Sequence, residues 1–208
     1  DVNGASNAEL GFVRLAFDPL GRGWILAASG TTIYLARFDI SVTNNGLDAA
    51  TFTLEDGSVG LTGGGTVATF VNGDIAFTAN GKMYALANDG SGTTYIYSGS
   101  PNGASTVLNR TWIALNGTSN FTGQVDGIAF DVLGNLFIST LSEGLFFLDQ
   151  TTVNNVFPGS VSAVNVWSGS GLTDLATNQF PQQTTLPVDL ISFTGAYSNQ
   201  KTNLNWVT

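Results

Sequence analysis

The sequence predicts an all-β protein, a β-propeller-like array of about four antiparallel meander blades followed by a short β-hairpin. The main observation is a recurring apolar phrase, found at Leu15–Gly21, Ile75–Gly81 and Ile128–Gly134, with a shortened copy at Asp174–Ala176. Internal repetition of this kind determines the architecture before any local feature does. The phrases recur at a spacing of roughly 50 to 60 residues, which suits one small antiparallel sheet per repeat.

Each phrase is an apolar strand that runs into a turn. Asp18, Pro19 and Gly21 stand at the first, second and fourth positions of a type I turn, and Asp131 and Gly134 repeat the first and fourth. Two further strands rich in β-branched, aromatic and aliphatic residues follow each turn. They are Trp24–Ala27 and Ile33–Leu35 in the first repeat, Met83–Leu86 and Tyr95–Tyr97 in the second, and Leu136–Ser139 and Leu145–Leu148 in the third.

A fourth, outer strand completes each predicted meander. The candidates are Thr51–Leu54, Thr111–Ala114 and Val161–Trp167. Such meanders cannot bury both faces alone, and radial stacking covers the faces while leaving only short edges. A β-sandwich or a solenoid is the alternative, but a solenoid needs a shorter and more regular period. Four blades make either a small propeller or part of a larger ring whose earlier blades lie upstream or in a partner.

Composition narrows the class of partner. Of 208 residues 43% are hydrophobic and only 10% are charged, and the net charge is −9. The six basic residues do not cluster, so neither nucleic acid nor an anionic membrane surface is an expected partner. No apolar run is long enough to span a bilayer. A neutral polar surface rich in glycine is typical of secreted β-proteins.

The sequence changes character near residue 180. Pro181–Pro187 reads as an extended linker. We therefore divide the chain into a repeat domain, 1–180, a linker, 181–187, and a last segment, 188–208, that predicts two alternating strands. A lone hairpin is marginal in water, so we expect this segment to pair, either with the rest of its own module or with a neighbouring subunit.

The last segment and the repeats resemble one group of proteins. The pattern Leu-Pro-Val-x-Leu-x-x-Phe, followed by Leu-x-Trp, resembles the start of the immunoglobulin- or fibronectin-III-like module of Bacteroidota surface proteins exported by type IX secretion. The matching residues are Leu186, Pro187, Val188, Leu190, Phe193, Leu204 and Trp206. The phrases Arg14–Gly21 and Asp174–Ala176 are similar to those of propeller-like ectodomains in the same group. The resemblance implies a cell-surface location and a truncated C-terminal module, and it carries over no catalytic residue.

The residue types that dominate catalysis are missing. The chain has no histidine and no cysteine, which excludes imidazole-dependent triads, thiolate chemistry and the usual ligands of zinc, copper and iron. Carboxylates remain. We read Glu55–Asp56 as a solvated turn, and Asp18 and Asp131 as turn caps. A third set lies at or just before the phrases, and for its members bonding to backbone is favoured over a role in a channel: Asp74, Asp126 and Asp174.

Calcium is the one metal that the composition permits, because its ligands are oxygens. Asn88–Gly92 resembles half a calcium loop, but a hairpin turn explains it better. We therefore assign no catalytic residue, cofactor or metal. Among the aromatic residues, Trp24 and Phe137 are expected in the core, whereas Trp112 and Trp167 lie in outer strands and are candidates for carbohydrate contact.

These features favour a non-catalytic extracellular or cell-surface protein with a structural or adhesive role. It is a candidate subunit of a surface assembly or filament, a homo-oligomer formed through its C-terminal strands. Its expected partners are other surface subunits or surface polysaccharide. The alternative is a carbohydrate-binding or carbohydrate-active protein of the glycosidase or lyase type. The sequence therefore favours a non-enzyme but does not exclude an enzyme.

Overall fold

The computed structural model describes residues 12–43, 46–89, 92–115, 121–122, 124–154, 159–177, 180, 192–198 and 201–207. These residues are almost entirely β-strands. The strands are β1 (Phe12–Phe17), β2 (Gly23–Ser29), β3 (Thr32–Thr43), β4 (Gly46–Asp56), β5 (Gly60–Thr62), β6 (Asn72–Phe77), β7 (Met83–Asn88), β8 (Thr94–Gly99), β9 (Val107–Leu115), β10 (Val125–Phe130), β11 (Leu136–Thr140), β12 (Gly144–Leu148), β13 (Gly159–Trp167), β14 (Ser192–Ser198) and β15 (Lys201–Val207). A 3-10 helix at Val67–Thr69 and the helix α1 (Gln150–Asn154) interrupt them.

The three complete repeats form three four-stranded meanders, as the sequence predicts. Blade 1 is the sheet β1-β2-β3-β4, blade 2 is β6-β7-β8-β9, and blade 3 is β10-β11-β12-β13. All neighbouring strands within a blade are antiparallel. The predicted outer strands are confirmed as β4, β9 and β13. The all-β fold class is therefore confirmed.

Within the described residues, the three blades do not form a closed propeller. Blades 2 and 3 join into one nine-stranded sheet, because the first half of β13 pairs in parallel with β9 through Gly159–Ala163. The short β5 also pairs in parallel with β9. Since local patterns do not specify non-local parallel pairing, the sequence predicted separate blades here.

The turn after each phrase has the predicted geometry. The amide of Gly21 donates to the carbonyl of Asp18 over 2.9 Å, and Gly134 repeats this bond to Asp131 over 3.1 Å. Gly81 does the same with Thr78. The φ angles of these glycines are 75°, 87° and 79°. This left-handed backbone follows a type I turn in a three-residue hairpin loop and favours glycine.

Two apolar layers hold the blades together. Between blades 1 and 2, Trp24, Leu26 and Leu35 pack against Phe77 and neighbours on β7 and β8. Between blades 2 and 3, the packing residues include Tyr84, Leu86, Phe130, Ile138 and Phe146. Burial of such side chains is the main source of stability in a fold of this kind.

The C-terminal hairpin is confirmed as a strand pair. β14 and β15 are antiparallel and form a two-stranded sheet of their own. The linker 181–187 and residues 188–191 lie outside the described residues, so the predicted domain division stays a prediction.

Candidate functional site

The four repeat phrases meet in one place. A cavity of about 240 Å³ is lined by residues of the inner strands β1, β6 and β10 and by the shortened phrase at Asp174–Thr177, together with Phe180. We call this the axial cavity, because each repeat contributes its first strand to it. The phrases that recur in the sequence therefore lie side by side around one cavity in the fold.

The shortened phrase is seated against blade 3 by a glycine. A Cβ atom added at Gly127 would lie 2.5 Å from the Leu175 amide nitrogen and 2.7 Å from the Ser139 hydroxyl oxygen. A side chain at this position would therefore push the phrase away from β10. In the other repeats the equivalent position carries Arg14 or Asp74, so the glycine is specific to this junction.

A charged cleft of about 440 Å³ adjoins the axial cavity. Its lining includes Arg14, Asp74, Gln124, Asp126 and Asp174. The side chain of Arg14 donates through Nε to the carbonyl oxygen of Gly73, which ties blade 1 to blade 2 at this point. One cation thus stands among three carboxyl groups.

Asp74 holds the inner strands of blades 2 and 3 together. Its Oδ1 accepts the Ile75 amide over 2.7 Å, and its Oδ2 accepts the Ile128 amide over 2.9 Å. Burial raises the pKa of Asp74 to about 7, against the lowering effect of these two amides. The negative charge of Asp174 raises this pKa further, and Arg14 lowers it. The predicted bonding to backbone is confirmed for Asp74.

Asp126 does not follow the predicted pattern. A register shift between Val125 and Gly127 places it in a β-bulge, which re-aims its side chain. Its Oδ1 accepts Gln124 Nε2 over 2.6 Å, and its buried Oδ2 has no hydrogen-bond partner among the described residues. Burial raises the pKa of Asp126, and Asp174 adds to the rise. The expectation of backbone bonding was wrong here, because the sequence carries no signal for the bulge.

Asp174 follows the pattern of Asp74 at its own phrase, since its Oδ1 accepts the Leu175 amide over 2.8 Å. Asp18 and Asp131 are confirmed as turn caps. Asp18 accepts the amides of Leu20 and Arg22 and the indole N–H of Trp24. The Asp131 carboxylate accepts two amides in its own turn.

The prediction of a solvated turn at Glu55–Asp56 was wrong. Asp56 is buried and accepts the amides of Ser58 and Thr106, both over 2.8 Å. Glu55 forms an ion pair with Arg37 at 3.2 Å. Asp56 therefore connects blade 1 to the loop before β9, a long-range contact that an adjacent acidic pair cannot reveal in sequence.

The aromatic candidates differ in how far they are buried. Trp24 is buried, as expected. Phe137 is only half-buried and stacks edge-on against Phe147 at 5.5 Å. Trp167 is 48% exposed, whereas the side chain of Trp112 lies outside the part of the chain that the structure describes.

The described residues lack a cluster of metal ligands. These residues contain no group of three or more acidic, histidine or cysteine side chains placed to hold a metal ion. In the predicted calcium-like segment, the Asp89 carboxylate accepts the Thr93 amide over 3.1 Å across a hairpin turn; residues 90–91 lie outside the described ranges. Over the same parts of the chain, no helix has the length and apolarity needed to cross a bilayer.

Comparisons with known proteins place the chain in no family. No family model matches it, and no curated protein matches it. Two solved structures from B. thetaiotaomicron are similar: the extracellular domain of "the putative one component system BT4673" and that of "the putative hybrid two component system BT4673". They are 19% and 18% identical, have TM-scores of 0.45 and 0.44, and cover 81% and 79% of this chain. The chain spans about 20% of the length of either structure.

Proposed function

We propose that the chain is a non-catalytic module of an extracellular or cell-surface protein, with a structural or adhesive role. The observation that carries this proposal is that most of the candidate carboxylates are engaged in hydrogen bonds with the main chain. Asp18, Asp56, Asp74 and Asp131 all accept main-chain amides, and in Asp74 both oxygens do so. Groups engaged in this way stabilise the blades.

The charged cleft is the feature that argues most strongly against a non-catalytic role. Carboxyl groups with raised pKa values in a cleft are also the hallmark of acid–base catalysis. Here Asp74 bridges two strands and Asp126 is buried against Gln124. Asp74 is therefore better placed to fix the inner strands than to reach a substrate, and Asp126 uses its one bonded oxygen to hold Gln124.

The test is a screen for turnover. The purified chain is incubated with polysaccharide substrates of hydrolases and lyases, beside the variants Asp74→Asn and Asp126→Asn. We expect no product above the level of a heat-denatured control. Turnover that either substitution abolishes, in a variant with an unchanged circular dichroism spectrum, would overturn the proposal.

The extracellular location is proposed from composition and from the resemblance of the repeat phrases and the Leu186–Val188 segment to surface proteins. Protease treatment of intact cells that produce the protein tests it. Digestion without lysis is expected, and protection until lysis would contradict a surface location.

Carbohydrate binding is a second candidate function, favoured by Trp167. Its indole is half-exposed and covers Gly169, since a Cβ at Gly169 would lie 2.0 Å from the ring. Flat exposed rings are suited to stacking against sugars. A glycan array probed with the wild type and Trp167→Ala decides this case: binding that the substitution abolishes supports it, and an array without signal contradicts it.

A further inference from the structure

Each blade packs on the preceding one through an equivalent contact. In all three blades an alanine of the inner strand pairs with an aromatic residue of the second strand: Ala16 with Trp24, Ala76 with Tyr84, and Ala129 with Phe137. The phrase phenylalanine of the next blade contacts this aromatic residue. Phe77 lies 6.1 Å from Trp24 and Phe130 lies 5.3 Å from Tyr84, measured between ring centroids.

For blade 1, the described residues supply no such contact. Leu15 and Phe17 occupy the same phrase positions as Ile75 and Phe77, yet they are 52% and 42% exposed, whereas Ile75 and Phe77 are each 3% exposed. The Phe17 ring lies 5.5 Å from Phe38, which lies 5.8 Å from Phe52. We call Leu15, Phe17, Phe38, Phe52 and Leu54 the blade 1 outer face.

The complementary half is uncovered at the other end. Phe137 occupies the position of Trp24 and Tyr84, but among the described residues no complete blade packs on it. On the same face of blade 3, Val164 is 54% exposed and Trp167 is 48% exposed. The shortened phrase at Asp174–Thr177 lies beside Gly127, at the inner edge of this face. We call Phe137, Leu145, Phe147, Val164 and Trp167 the blade 3 outer face.

We propose that a second copy of this chain docks head to tail, with its blade 3 outer face on the blade 1 outer face and Phe17 against Phe137. A second copy is the occupant that the observations favour, because the same chain presents both halves of a contact that it makes twice internally. The outer faces of a stacked-repeat array are polar or covered when the array is soluble, and both outer faces of the described array are apolar. Such an interface is heterologous, so it either closes a ring or grows into a filament.

Point substitutions in the full chain test this docking. Phe17→Lys blocks one face and Val164→Lys blocks the other, while Val132→Lys is the matched control. Val132 is 68% exposed and lies in the turn after β10, outside both faces. Sedimentation velocity over a wide range of concentration is expected to show assemblies of wild type and control, and monomers of either blocked variant. Thermal unfolding shows that each variant remains folded.

Mixing the two blocked variants distinguishes this interface from others. Each retains one working face, so an equimolar mixture is expected to form a dimer that grows no further, detected by native mass spectrometry with one variant carrying a mass tag. A monomeric wild type, a mixture that stays monomeric, or a control that also loses association would each overturn the inference. This inference adds to the proposed structural role, and the two can fail separately. A monomeric chain without turnover would overturn head-to-tail docking and leave the non-catalytic role intact. A chain that assembles and also shows turnover would contradict only the non-catalytic role.

Discussion

At the scale of single residues, aspartates at equivalent repeat positions cap the same turn but differ in burial. Asp18 caps its turn from a buried position, whereas Asp131 caps the equivalent turn from a more exposed one. Burial alone would raise the pKa of Asp18, but the N–H donors of Trp24, Arg22 and Leu20 together hold it below its ordinary value. The partner side chain decides how much each cap contributes, because Phe137, which stands at the position of Trp24, has no side-chain N–H to donate.

Replacing Asp18 by Ala is expected to destabilise the protein more than replacing Asp131. Asp18→Ala leaves the buried Trp24 indole N–H without its acceptor and should cost about 3 kcal/mol, against about 1 kcal/mol for Asp131→Ala. Urea denaturation of both variants measures the two free energies of unfolding. Equal losses would contradict the special role of the Trp24 bond.

Asp74 is expected to give stability a pH dependence near neutrality. Its pKa is about 7 in the folded protein and near 4 in the unfolded chain, so the folded state binds the extra proton between these values. The free energy of unfolding therefore falls as the pH rises from about 4 to about 7, by an amount on the order of a few kcal/mol.

The variant Asp74→Asn isolates this effect because it cannot titrate. The melting temperature of the wild type, minus that of the variant, is expected to be smaller at pH 8 than at pH 5. Asp18 has a lowered pKa and acts below this range, and Asp126 is present in both proteins, so the difference reports on Asp74. A difference that stays constant with pH would contradict the raised pKa.

At the scale of elements, the same phrase contributes a different amount to the free energy of unfolding in different blades. Phe77 and Phe130 are each 3% exposed, as the repeat predicted, while Phe17 remains half-exposed. The strands are alike, but within the described residues a neighbouring blade packs on the phrase phenylalanines of blades 2 and 3 and none packs on that of blade 1. Burial therefore depends on stacking and not on the phrase alone.

Phe77→Ala and Phe130→Ala are each expected to cost about 3 to 5 kcal/mol, whereas Phe17→Ala should cost about 1 kcal/mol or less in the monomer. The comparison is internally controlled because all three residues hold the same place in the repeat. Denaturant unfolding at a concentration where the chain is monomeric gives the three values. Similar losses at Phe17 and Phe77 would mean that blade 1 is covered in solution.

At the scale of the whole molecule, two segments are candidates for self-association. The sequence pointed to the C-terminal strands β14 and β15, because a lone hairpin is marginal and open strand edges recruit partners. The described structure adds the two outer faces of the blade array. Association through the C-terminal strands and association through the outer faces would be disrupted by substitutions at different residues.

Trp206→Lys in the full chain separates the two routes. If the blade faces carry association, this substitution and its neighbour control Asn205→Lys leave the sedimentation profile of the wild type unchanged. Loss of the larger species with Trp206→Lys alone would assign association to the C-terminal strands, as first expected. Light scattering on the same samples supplies the mass.

The sequence by itself determined the repeat, the order of strands within each blade, the turns with their glycines, and the residue types available for chemistry. These features are local, because alternation and turn chemistry act over a few neighbouring residues. Only the tertiary structure decided the parallel joining of β9 to β13, the bulge that re-aims Asp126, and the burial of Asp56. It also decided that Phe17 lies open where Phe77 and Phe130 lie buried. Those outcomes depend on which segments meet across long stretches of chain, and no neighbouring residue encodes that meeting.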